Sequence, residues 1–251
     1  MLSSSHLLQG KVALITGCNR GIGKVILELF ALNGSDIWAC ARKETPEFES
    51  FIDDIRKKCQ VKIHVLYFDL TDEPEVKKKL GELVQEKQRI DILVNNAGVA
   101  HGNLLHMTPV SKTREVFEVN FFSQLLVTQI VSRIMMKQKN GSIINLASIA
   151  GLDAYPGYSA YGSSKAALIY ATKSLSKEFA QYNIRVNAIA PGLTETDMAF
   201  QMERKAKEEM ISDSAMNRLA KPEEIANTAL FLASDLSTFI NGQTIRVDGG
   251  M

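Results

Sequence analysis

The sequence has almost no charge of either sign in excess. Its 251 residues carry 29 Lys and Arg against 28 Asp and Glu, a net charge of +1. Without a basic surplus there is no electrostatic drive toward nucleic acid or an anionic membrane. There is also no basic stripe interleaved with aromatics, the mark of a nucleic-acid module. Cysteine is scarce: Cys18, Cys40 and Cys59 form no CxxC pair and are odd in number. They read as free thiols of a reducing, cytoplasmic setting, not as a disulfide framework. The four histidines, His6, His64, His101 and His106, lack ligand spacing, so no metal site is expected. No apolar run reaches the ~18 residues of a membrane span. The opening "MLSSSHLLQG" is too short and too polar for a secretion signal, and residues 1–9 read as a loose lead-in.

What is present is ordinary for a globular chain, 45% apolar and 23% charged residues. A chain of this length buries a large core without staples. Short β-rich runs at 11–16, 36–41, 62–68, 91–95, 142–147, 184–190 and 243–247 alternate with helical patterns at 22–33, 47–59, 73–87, 113–138, 160–181 and 222–233. Most of the strand runs are continuously apolar, which favours a parallel sheet covered on both faces. The expected fold is therefore α/β: one Rossmann-type, doubly wound parallel sheet of about seven strands in a single domain over 1–251. Two segments exceed what a connection needs, 148–160 and 191–220. Both follow a strand at its carboxyl end, where open α/β sheets bind ligands. The second reads as a helical substrate flap, in which Met198, Phe200 and Met202 either line an apolar pocket or pack their own helix.

"TGCNRGIG" (16–23) follows the first strand and opens the first helix. Gly17, Gly21 and Gly23 allow a tight turn and close approach of backbone to a pyrophosphate at a helix N-terminus. The second strand ends "CARKE", with Arg42 where an NAD-binding protein carries a carboxylate for the ribose hydroxyls. A guanidinium pairs with a 2′-phosphate, and Arg20 adds a second positive charge, so NADP(H) is favoured over NAD(H). Glu44 stands nearby as a contrary charge.

"YSAYGSSKAAL" (158–168) places Tyr161 and Lys165 four apart, on one helical face. Neither Tyr155 nor Tyr158 has a lysine at that spacing. An ammonium beside a phenol favours the phenolate, so the Tyr161 pKa is expected to fall below its usual value of about 10. Such a pair exchanges a proton with a carbonyl or alcohol. Ser148 ends a strand in reach of a substrate oxygen, and Asn120 lies mid-helix among apolar neighbours, where a buried amide needs a partner.

In this order, "TGCNRGIG", "NNAG" (95–98), Asn120, Ser148, "YGSSK" (161–165) and "PG" (191–192) with Thr194 resemble the short-chain dehydrogenase/reductase family over nearly the whole chain. The resemblance implies a catalytic tetrad of Asn120, Ser148, Tyr161 and Lys165. Tyr161 would be the general acid, Ser148 would position the carbonyl, Lys165 would hold the nicotinamide ribose and lower the tyrosine pKa, and Asn120 would hold a relay water. It also implies cofactor contacts from Gly17, Asn19, Arg20, Gly21, Ile22, Gly23, Arg42, Asp69, Leu70, Asn96, Ala97, Gly98, Tyr161, Lys165, Pro191, Gly192 and Thr194. Asp69 would face the adenine. Family members are typically homotetramers.

Within the family the chain is most similar to 3-oxoacyl-[acyl-carrier-protein] reductases, through "IDILVNNAG", "MMKQKNGSIIN", "APGLTETDM" and "VDGGM". That likeness implies a carbonyl substrate on an acyl carrier protein. Those reductases flank the site mouth with two arginines, matched here by Lys139 and Tyr182. Lys keeps the charge but loses the fork, and Tyr loses the charge. Lys137 and Lys177 either compensate or are solvated, and Tyr155 and Tyr158 are expected to form a substrate wall. Two other functions stay open: oxidation of a sugar, steroid or other secondary alcohol, and a non-catalytic nucleotide sensor, against which the intact tetrad argues.

Overall fold

A computed structural model describes residues 6–200 and 204–251 of the protein. The strands are β1 (Val12–Thr16), β2 (Asp36–Ala41), β3 (Ile63–Tyr67), β4 (Ile92–Asn95), β5 (Gly141–Leu146), β6 (Ile184–Pro191) and β7 (Thr244–Val247). The helices are α1 (Gly21–Leu32), α2 (Pro46–Cys59), α3 (Glu73–Gln85), α4 (Val110–Phe117), α5 (Ser123–Gln138), α6 (Ser159–Phe179), α7 (Asp197–Phe200), α8 (Arg204–Asp213) and α9 (Pro222–Ala233). All strand pairs are parallel, in the order β3-β2-β1-β4-β5-β6-β7. This is the doubly wound, single Rossmann-type sheet expected, with strand limits within about two residues of the sequence reading.

The strands are continuously apolar because successive side chains enter two different cores. Ala13 and Ile15 of β1 pack with Ile26 and Phe30 of α1 and with Ile225 and Leu232 of α9. Leu14, between them, packs with Leu80 of α3 and Val131 of α5. Phe30, Leu14 and Leu93 are fully buried, each contributing about 1.5–3 kcal/mol. Helix starts follow local chemistry. The Thr45 side chain caps α2 through the Phe48 amide, and Asp72 caps α3 through the Glu75 amide. α1 differs: its N-cap, Arg20, makes no side-chain cap bond.

Strand order reverses between β1 and β4, which sets a crevice at the carboxyl ends of these strands. Both over-long segments open onto that edge. Two expectations change. The lead-in is not loose throughout, since Leu8 is fully buried and its amide bonds the Asn33 carbonyl at 3.0 Å. The helix expected over 113–138 is two α-helices joined by a π-helical turn, Glu118–Phe122. Met202 lies outside the described residues, as do the side chains of Met198 and Phe200. Cys18 and Cys40 are free and buried, and they belong to the cores on opposite faces of the sheet. Burial pushes the Cys18 thiol up to about 12. No described helix is long and apolar enough to cross a membrane, and the described residues hold no His, Cys, Asp and Glu cluster fit for a metal.

Candidate active site

The glycine loop is clamped to the "NNAG" loop by one hydroxyl and one amide. Thr16 Oγ1, buried at the end of β1, accepts the Asn96 and Ala97 amides at 3.1 and 3.2 Å. Asn96 Nδ2 returns bonds to the Thr16 and Gly17 carbonyls at 3.0 and 2.9 Å. Gly23 must lack a side chain here, because a Cβ would stand 2.3 Å from Asn96 Nδ2 and 2.4 Å from the Gly17 oxygen. Asn96 therefore braces the loop through its side chain.

The residues fit a dinucleotide. Because α1 has no side-chain cap, its first-turn amides remain available to an anion. Asn19 is exposed at the loop's edge, while Ile22 packs against the first core. Arg42 is exposed past the end of β2, with no hydrogen-bond partner among the described residues. Arg20 is also exposed but faces Asp197 at 3.5 Å, a contact that ties the loop to α7. Asp69 is oriented by its neighbour: its Oδ1 accepts both the amide and the hydroxyl of Thr71, at 2.9 and 2.8 Å. These bonds hold its carboxyl below the usual range and leave Oδ2 for an adenine. Leu70 turns its side chain into the second core. Pro191 ends β6, the Gly192 amide bonds the Val247 carbonyl at 2.9 Å, and buried Thr194 donates to the Gly192 carbonyl at 3.0 Å.

Across the crevice the structure brings together all four expected tetrad residues. Ser148 follows β5 and caps a short turn, Ile149–Gly151, by accepting the Ala150 amide at 3.2 Å. α6 lies tight against that turn, since a Cβ on Gly162 would meet the Ala150 oxygen at 2.4 Å. This close approach brings the Tyr161 phenol to Ser148. Lys165 is buried, with Nζ donating to the Leu146 carbonyl at 2.7 Å and lying 5.9 Å from the Tyr161 ring centre. Two of its three protons face no acceptor among the described residues, which suits ribose hydroxyls. A Cβ on Gly98 would sit 3.4 Å from Lys165 Nζ and 3.3 Å from Asn120 Oδ1, so both side chains converge there.

Asn120 lies in the π-helical turn, a distortion frequent at functional sites. Its amide is heavily committed. Oδ1 accepts the Val99 amide at 2.9 Å, and Nδ2 donates to the Val99 carbonyl and Ser164 Oγ at 2.9 and 3.0 Å. A relay water could use only the second lone pair of Oδ1 or a main-chain carbonyl.

The electrostatics correct one expectation. The Tyr161 pKa is raised, not lowered: burial pushes it up, the Ser148 hydroxyl pulls it down, and Tyr158 adds a further upward push. Burial also brings Lys165 down to about 8. Desolvation here outweighs the pairing that spacing alone suggests.

Some supporting residues escaped the sequence reading. Asn95 Nδ2 donates to Thr128 Oγ1 and Asn145 Oδ1, both at 2.9 Å, and Asn145 Nδ2 donates to Thr172 Oγ1 at 2.8 Å. This buried chain pins α5 and α6 to the sheet. Its signal was an asparagine inside each of two apolar strands. Gly162, a glycine inside a helix, was a second overlooked signal. Lys139 and Tyr182, expected to flank the site mouth, instead precede β5 and β6. They lie at the amino edge of the sheet. A six-residue strand, ~20 Å, separates Lys139 from the Ser148 end.

This is the architecture of a dinucleotide-binding oxidoreductase. Residues 17–251 match the family model described as Enoyl-(Acyl carrier protein) reductase. The 3-oxoacyl-[acyl-carrier-protein] reductase FabG of Thermotoga maritima is 41% identical over 248 residues, covering 97% of this chain and 98% of the relative. Its namesake in Aquifex aeolicus is 39% identical over 244 residues, covering 97% and 98%. A solved structure named as a gluconate dehydrogenase of Agrobacterium tumefaciens superposes with a TM-score of 0.92 at 28% identity, covering 98% of both chains. One named as an NAD(P)-dependent gluconate 5-dehydrogenase of Beutenbergia cavernae, with NADP bound at low occupancy, gives 0.91 at 29% identity and the same coverage. The chain belongs to the short-chain dehydrogenase/reductase family.

Proposed function

We propose that this protein is a cytoplasmic, NADP(H)-dependent reductase of 3-oxoacyl thioesters carried on acyl carrier protein. The observation that carries the reading is the half-buried Tyr161 beside Ser148, at the carboxyl edge of a full-length relative of the 3-oxoacyl reductases. Ser148 and Tyr161 both offer O–H donors to one carbonyl oxygen. When bound, the nicotinamide supplies hydride to the carbonyl carbon. Tyr161 Oη then gives its proton to the oxygen, completing the alcohol. Lys165 holds the ribose through its two free protons and keeps positive charge near the phenolate left behind. Asn120 fixes the Val99 backbone on the opposite wall. Arg42 supports NADP(H) over NAD(H) by offering an unpaired guanidinium to a 2′-phosphate.

A homotetramer belongs to the proposal. A groove of about 570 Å³ runs over the outer faces of α3, α5 and α6, with Phe122, Leu126, Met136 and Leu175 in its walls. Glu118, Arg133 and Glu178 line it as well, and a face that mixes apolar and oppositely charged side chains suits a second copy of the chain. Carrier-protein docking rests on the named relatives, because Lys139 lies at the far sheet edge.

The structural likeness to gluconate dehydrogenases favours a second reading, oxidation of a polyol or other secondary alcohol. Steady-state rates with NADPH and NADH, on acetoacetyl and crotonyl carrier-protein thioesters and on gluconate with the oxidised cofactors, separate the two. NADPH-linked reduction of the acetoacetyl thioester alone, lost in Tyr161→Phe while NADPH still binds, is the expected outcome. Turnover of gluconate or of the crotonyl thioester without the acetoacetyl one would overturn the reading.

A further inference from the structure

Tyr158 stands one helical turn before Tyr161, at the N-cap of α6. Its ring meets Tyr161 edge-on at 6.1 Å between centroids and Tyr155 at 6.4 Å. The third side is backbone: a Cβ on Gly102 would lie 3.7 Å from Tyr158 Cζ and 3.8 Å from its hydroxyl. The loop carrying Gly102 is itself pinned, since the Asn103 amide bonds the Gly157 carbonyl at 2.9 Å. The phenol is thus held on three sides beside the reacting tyrosine. Yet no described residue accepts from or donates to its hydroxyl, although a partly buried tyrosine normally finds a partner. Burial raises its pKa, so the group stays an O–H donor at neutral pH. A ring needed only for packing would not need the oxygen.

We propose that the Tyr158 hydroxyl is a substrate-binding donor for a second oxygen, the carbonyl two carbons from the ketone that Tyr161 protonates. This rests on the 3-oxoacyl reading, in which the thioester carbonyl is that second oxygen. Two phenols one turn apart then read the two oxygens of a 1,3-dicarbonyl, while a simple ketone engages only one. Because the bond forms in the bound substrate and persists through the reaction, its loss falls on KM and leaves kcat nearly unchanged.

The test compares wild type with Tyr158→Phe, which keeps the ring and the packing. Ethyl acetoacetate and 4-ethoxybutan-2-one differ only in the second carbonyl, and both are used with NADPH. The expected result is a roughly three- to tenfold rise in KM for the ester, the value of one neutral hydrogen bond, and no change for the ether. Equal losses on both substrates, a loss confined to kcat, no loss on either, or a wild type that reduces neither overturns the inference. Wild-type turnover of the acetoacetyl carrier thioester is measured alongside. Its absence, with the ester-to-ether contrast intact, would remove the carrier reading and leave the 1,3-dicarbonyl specificity standing.

Discussion

Replacing Lys165 by methionine should stabilise the cofactor-free protein while abolishing its activity. The buried ammonium titrates near 8 in the folded chain, against a usual value of 10.5. In the unfolded chain the same group holds its proton up to the usual value. Between these limits the unfolded state binds more protons, so wild-type stability rises with pH across that window. Below pH 8 the buried charge costs about 3 kcal/mol, at 1.36 kcal/mol per pKa unit. Methionine fills a similar volume without charge but leaves the Leu146 carbonyl, now bonded at 2.7 Å, unpaired. That loss costs about 1–2 kcal/mol. The net gain at pH 7 is then about 1–2 kcal/mol, worth several degrees in Tm for a chain of this size. By pH 10 less than about 1 kcal/mol of the charge penalty remains, so the advantage disappears or reverses. Urea unfolding of both proteins at pH 7 and pH 10 measures the change. A stability gap that stays constant between the two pH values would refute the assignment of a desolvated lysine, whatever its sign.

Two further substitutions test the cofactor half of the site. Arg42→Asp replaces an unpaired guanidinium with a carboxylate, and the ratio of NADPH to NADH affinity should fall by roughly ten- to hundredfold; an unmoved ratio in fluorescence titrations would make Arg42 an ordinary surface charge. Thr16→Val keeps the shape but strips the acceptor from the Asn96 and Ala97 amides, so it should cost about 2–4 kcal/mol in urea unfolding. Thr16→Ser should restore most of that, and equal stability of the two variants would deny the hydroxyl its bracing role.

The sheet was legible because its signal is redundant. β2, Asp36–Ala41, matches the sequence reading at both ends, since a buried parallel strand must be apolar throughout and is bounded by polar turns. The grouping of Asn120, Ser148, Tyr161 and Lys165 was legible through spacing along α6 and through the order of the motifs. What escaped depends on contacts made across the sequence. Nothing local tells that Asn145 must join Asn95 to Thr172, or that Gly162 is there because a carbonyl of another turn presses on it. The π-helical turn at Asn120 escaped for a related reason. A π turn inserts one residue without changing the apolar pattern enough to read, and only the commitment of the amide to Val99 and Ser164 reveals it.

Helical spacing is a statement about which side chains share a face, and the expected drop in the Tyr161 pKa needed more than that. A lysine lowers a neighbouring phenol only where its attraction for the phenolate exceeds the cost of taking that phenolate out of water, and here burial is the larger effect. Here both groups are withdrawn from water together, and each is driven toward its neutral form. A phenol that keeps its proton at neutral pH can donate it to a carbonyl oxygen, the role that reduction asks of Tyr161. The same burial that makes Lys165 costly to the fold leaves two of its protons unspent in the crevice, so a ligand with hydroxyls at that point regains part of what folding gave up.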